Sequence, residues 1–108
     1  MLNKAQHGDA FFVTATHATA ATATNAAVSG KTHYITDISA SSDKAGALLV
    51  VKQGTTTVWQ VQLAATAAGN LAYSHTFSTP IKGASGALVS ITVDGTSVCN
   101  SNIAGFTL

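Results

Sequence analysis

Apolar and polar positions alternate with a period of two over most of this chain, the pattern of half-buried strands. In residues 32–40, Tyr34, Thr36 and Ile38 share one face, and His33, Ile35, Asp37 and Ser39 the other. Ala47, Leu48, Leu49, Val50 and Val51 run without a polar break, so residues 47–53 are expected to be covered on both faces. Gly54-Thr55 then makes a tight turn, after which Trp59, Val61 and Leu63 fall opposite Val58, Gln60 and Gln62. That pair of segments is the clearest hairpin in the chain. Further on, Leu71, Tyr73, His75 and Phe77 lie on one face, and Pro80 is expected to end the strand because it cannot donate to a ladder. Residues 87–93 follow as a strand, Asp94-Gly95 as a turn with positive-φ chemistry, and residues 98–108 as a last pairing.

The first third is less regular. The opening ten residues are polar, residues 11–16 form a short strand, and residues 17–28 alternate Ala and Thr with no helix cap. This reads as an extended segment, and residues 64–70 as a small-residue loop. The whole predicts an all-β chain of seven or eight short antiparallel strands with turn signals about every eight to twelve residues. Such spacing belongs to a β-sandwich or a small barrel. Residues 1–30 are expected to be an extended N-terminal arm or edge strands, and residues 31–108 the sandwich itself.

Composition narrows the function classes. Of 108 residues, 20 are Ala, 16 Thr and 10 Ser, while charged residues make up only 8%, against about 25% in ordinary domains. There is no Arg and no Glu, and the net charge is +1. Nucleic-acid binding needs a dense basic field, so no nucleic-acid partner is expected. A surface so poor in charge hints that part of it is covered by a partner, with a Thr- and Ser-covered monomer as the alternative. Cys99 is the one cysteine, which excludes an intrachain disulfide and suits a reducing compartment. No signal-peptide core opens the sequence, and no apolar run reaches the roughly 20 residues of a membrane span. The expectation is a chain made in a cytoplasm, without a membrane partner.

Catalytic chemistry is thin. Asp9, Asp37, Asp43 and Asp94 mostly sit at loops or turns, and no nucleophile elbow, phosphate loop or paired-His motif occurs. No catalytic residue, cofactor or metal ligand is assigned, and an enzyme is not expected. His7, His17, His33 and His75 form no close pair, although a threefold axis would bring one His75 from each of three chains together. A hydrogen-bonded core or interface histidine is the plainer reading of His75. Trp59, Tyr73, His75 and Phe77 are candidate core or interface residues, and Cys99 a small buried hydrophobe. The pairs Thr14, Thr16 and Thr22, Thr24 resemble the hydroxyl arrays of ice-binding solenoids, but they stop at residue 24, and a solvated strand face explains them.

From His33 onward the chain resembles small proteins encoded beside the capsid genes of tailed bacteriophages. The resemblance lies in residues 33–41, in Gly54 to Trp59, in residues 77–90 and in the closing residues 103–108. It implies a jelly roll, similar in some members to the tumour-necrosis-factor fold, that forms a homotrimer. It also implies a decoration or cement protein on the capsid exterior, with the major capsid protein as partner and the virion as its location. Phe11 and Phe12 are then candidate anchors by which the arm would pair with a neighbour. The alternative is a tail or fibre module that binds a receptor glycan, for which exposed aromatics in loops would be expected.

Overall fold

The computed structural model describes residues 8–63 and 71–108, so the opening of the expected arm and the expected 64–70 loop lie outside the described residues. The described chain forms eight strands: β1 Asp9–His17, β2 Ala20–Asn25, β3 His33–Ser42, β4 Leu48–Gln53, β5 Thr56–Gln62, β6 Leu71–Lys82, β7 Val89–Asp94 and β8 Cys99–Thr107. They pair antiparallel in two four-stranded sheets, ordered β1-β8-β3-β6 and β2-β7-β4-β5. The all-β sandwich expected from the alternation is therefore present, and its strand order is that of a jelly roll, two interleaved Greek keys. Residues 9–25 provide β1 and β2, one at the edge of each sheet.

The core lies between the sheets. One sheet sends in Ile35, Ile38, Ala40, Cys99 and Ile103; the other sends in Ala21, Ala23, Leu49, Val51, Val89, Ile91 and Val93. Full burial of each Ile, Leu or Val is worth about 1.5–3 kcal/mol. The Ala-Thr alternation now has a physical reading. Ala21 and Ala23 are buried while Thr22 and Thr24 face solvent, where Thr22 Oγ1 lies 2.9 Å from Thr92 Oγ1. Because alanine is small, the facing sheet comes close there. Ser101 Oγ donates across the sandwich to the Ala21 carbonyl at 3.0 Å, and the Ser42 hydroxyl donates to the carbonyl of Asp94. Among the described residues no buried side-chain nitrogen or oxygen lacks a partner, as burial of polar atoms requires.

Four expectations are corrected. Strict alternation along residues 32–40 fails at Thr36, where β3 carries a bulge: Ile35 faces Gly105 and Asp37 faces Ala104, leaving Thr36 as the extra residue. The face therefore switches, and His33, Ile35, Ile38, Ala40 and Ser42 are the buried set. Pro80 does not end β6, because β6 is an edge strand whose outer N–H positions need no partner. Residues 47–53 are not covered on both faces: Leu49 and Val51 are buried, whereas Leu48 is 37% exposed and Val50 half-buried. An antiparallel sandwich has one solvent face per sheet, and β4 obeys it despite its sequence. Gly95 does not take a positive φ, which is found instead at Gly54 in the hairpin turn (57°). Gly95 is needed for space, since a Cβ there would lie 2.8 Å from Cys99 Sγ.

Gly105 offers a test of the packing between β8 and its neighbours. A Cβ at this position would overlap the Tyr34 carbonyl and come within 2.9 Å of the Phe11 ring. Gly105→Ala is expected to lower stability by about 1–3 kcal/mol, the usual cost of overpacking, read as a lower urea midpoint. An unchanged midpoint would contradict the close approach.

Candidate functional site

On the β2 side of the sandwich Ala21 and Ala23 let the sheets close, with Phe11 and Val13 of β1 packed beside them. At the opposite side, aromatic rings fill the gap between edge strands β5 and β6. Trp59 projects inward from β5 and meets three rings from β6: Tyr73 at 6.0 Å, His75 at 5.4 Å and Phe77 at 5.6 Å between centroids. His75 and Phe77 meet edge-on at 4.7 Å, within the range in which aromatic pairs attract. The four residues singled out in the sequence are thus brought together, because β5 and β6 each place alternate residues on the inner face. All four remain half-buried, so the cluster is partly core and partly surface. No Lys or Asp stands on β5 or on residues 71–79 of β6.

Phe11 and Phe12 are separated by the pleat. Phe11 turns inward against the core, its ring 5.5 Å from that of His33, whereas Phe12 is 67% exposed on the outer face of its sheet. That outer face holds a trough. Its rows, read across β1, β8, β3 and β6, are Phe12–Ala104–Asp37–Thr76 and Thr14–Asn102–Ser39–Ser74. Short side chains at Ala104, Ser39 and Ser74 leave two adjoining cavities of about 190 and 250 Å³ that share Ser39 and Ser74. Asp37 Oδ1 accepts from Thr76 Oγ1 at 2.6 Å and Oδ2 from Thr36 Oγ1 at 2.8 Å. Those hydroxyls, Thr76 foremost, hold the Asp37 carboxyl below its ordinary value, so it is ionised at neutral pH. Sequence reasoning missed this site. Alternation places Asp37 beside Ile35, and only the bulge at Thr36 delivers the carboxylate outward.

His33 and Cys99 serve structure. His33 is buried at one end of the sandwich. Its Nε2–H donates to the Ala26 carbonyl at 2.7 Å, which leaves Nδ1 to accept from Thr107 Oγ1, also at 2.7 Å. It therefore ties the β2–β3 connection to the end of β8. His17 is exposed and accepts from the Thr19 amide, and His7 lies outside the described residues. Cys99 Sγ is buried and donates to the His17 carbonyl, and burial raises its pKa. Among the described residues no three His, Cys, Asp or Glu side chains group as a metal site would require.

Comparison with known proteins adds little to this geometry. No protein-family model matches the chain, and no curated protein sequence is similar to it. Among solved structures the chain is similar to one seen by cryo-electron microscopy in the virus-like particle of the extra small virus of the giant freshwater prawn Macrobrachium rosenbergii. The match covers 89% of this chain and 75% of that one, at 15% identity and a TM-score of 0.39. A likeness at that level carries no argument, and the class assigned here, a jelly-roll sandwich of eight strands, rests on the strand order alone.

Asp43 yields a pH prediction. Its carboxylate accepts from the backbone N–H of Thr96 at 2.8 Å and of Ser97 at 2.9 Å, clamping the β3–β4 loop to the β7–β8 turn. These donors hold its pKa below the unfolded value of 3.8, and Asp37 shifts the same way. A lowered folded pKa stabilises above the unfolded pKa, and the benefit drains away as pH falls through 3.8 toward the folded value. The urea midpoint is expected to fall below about pH 5, and Asp43→Asn to give a lower midpoint at neutral pH with a flatter acid profile. An equally steep profile in the variant would contradict the clamp.

Proposed function

We propose that the chain is a structural virion protein that forms a homotrimer through the β5/β6 edge and binds the outside of a phage capsid as a cement. The observation that carries this reading is the half-buried cluster of Trp59, Tyr73, His75 and Phe77 on β5 and the uncharged residues 71–79 of β6. Aromatic residues flanked by neutral ones mark the buried centres of protein interfaces, and charge is depleted there. Edge strands also present unpaired backbone groups, which a neighbouring copy can satisfy. The jelly-roll strand order agrees with what the phage-protein resemblance of residues 33–108 implies. A trimer would place three shell contacts on one particle, so modest individual contacts multiply into firm attachment without a catalytic or cofactor site.

Light scattering coupled to size-exclusion chromatography tests the trimer. The expected native mass is three times 10.9 kDa. His75→Lys, which puts a charge among the half-exposed rings, is expected to give a monomer with unchanged far-UV circular dichroism. A monomeric wild type at the highest soluble concentration, or a trimer untouched by the lysine, would contradict the proposal. Co-sedimentation of the trimer with shells assembled from a tailed-phage major capsid protein tests the cement role.

A further inference from the structure

We infer that the trough on the outer face of the β1-β8-β3-β6 sheet, with Phe12 at its rim, is a binding site for a neutral saccharide. This goes beyond the proposed virion role; the trough reaches β6 through Ser74 and Thr76, with Tyr73 and His75 among its lining, but its aromatic rim is on β1. Three observations converge on it. First, Phe12 is 67% exposed, the largest value among the big hydrophobic side chains described, and it stands at the rim of a shallow, open trough. A ring so placed offers an apolar face that the chain itself does not use. Second, the polar groups of the trough are arranged in advance. Asp37 is held by Thr36 and Thr76, yet a carboxylate has about four acceptor positions, and only two are engaged by side-chain hydroxyls. Asn102 is oriented by donation from Nδ2 to Ser39 Oγ at 3.0 Å, which leaves its Oδ1 as an acceptor with no partner among the described residues. Third, the carboxylate reaches this face only through the bulge at Thr36, and bulges often re-aim a side chain next to a site.

The chemistry of the lining selects the ligand class. No lysine lines either cavity, and the one charge is negative, so phosphates and acidic sugars are disfavoured. A wholly apolar ligand would strip water from Asp37, Asn102 and the serines without replacing their hydrogen bonds. A single carboxylate among amides and hydroxyls is too few hard ligands for a divalent cation. A neutral pyranose meets all these terms. Its C–H face carries partial positive charge that suits the negative face of Phe12, and its hydroxyls donate to Asp37 and Asn102 Oδ1 while accepting from the hydroxyls of Ser39 and Ser74. Two adjoining cavities give room for consecutive sugar units.

The test uses the labelled wild-type chain, Phe12→Ala and Asn102→Ala on a printed array of neutral and sialylated oligosaccharides. Both substitutions lie on the solvent face, and unchanged circular dichroism would certify the fold. The expected result is retention on a set of neutral glycans that weakens up to about tenfold in Phe12→Ala, the scale of one lost ring contact, and also in Asn102→Ala. No retention on any neutral glycan, or retention confined to sialylated ones, would overturn the inference. So would equal binding by Phe12→Ala. Loss of capsid co-sedimentation in Phe12→Ala without glycan binding by the wild type would make Phe12 a shell contact instead. The trimer reading is judged separately, by native mass, so the two can fail independently.

Discussion

The separation of the two sheets governs the rest of this molecule. On the β2 side the facing layers carry Ala21, Ala23, Ser101 and Cys99, small enough for a serine hydroxyl to reach the opposite backbone. On the β5/β6 side the layers carry Trp59, Tyr73 and Phe77. Small residues along β2 and four rings between β5 and β6 taper the sandwich, because interiors are packed to crystal-like density and the sheets must follow the side chains. At the narrow edge Ala21 and Ala23 are buried, and Phe11, Val13 and Ala15 of β1 pack half-buried beside them. At the wide edge four rings bridging two edge strands stay half-exposed. A chain with 8% charged residues then has its most aromatic surface where its sheets end.

The taper also explains which parts of the structure were legible in the sequence. Alternation of Ala and Thr in residues 20–25, and of Trp59, Val61 and Leu63 against glutamines, reported the inner and outer faces directly. Gly54 reported the hairpin. What alternation could not report is where the period breaks. The bulge at Thr36 has no local signal, since neither glycine nor a turn residue marks it, and it decides that Ile38 is buried and Asp37 turned to the outer face. Pro80 signals a strand end only if its amide position faces a partner, which depends on β6 being an edge. His33 reads as an ordinary strand histidine, and its role appears only when the end of β8, 74 residues away, closes over it. Long-range pairing settled each of these cases.

The candidate sites divide in the same way. Trp59, Tyr73, His75 and Phe77 were recognisable because aromatic residues at alternate positions on two strands must share a layer, and the sandwich then joins the two strands' contributions. The outer trough was not recognisable, because it is made of serine, alanine and asparagine whose significance lies in their register across β8, β3 and β6. The proposed reading assigns the first surface to self-association and the second to a ligand. They meet along β6, whose Tyr73 and His75 line the trough as well as the aromatic cluster, while the trough's rim at Phe12 lies on β1, at the far edge of the sheet.

Trp59 is the single tryptophan of the chain and stands at the centre of the wide edge, so its fluorescence reports that edge alone. Acrylamide quenching measured across a dilution series, alongside the native mass, therefore addresses the central claim directly. The account predicts strong quenching in dilute monomer and a marked loss of quenching as the trimer forms. A trimer in which Trp59 is quenched as readily as in the monomer would contradict it, because self-association would then be using another surface.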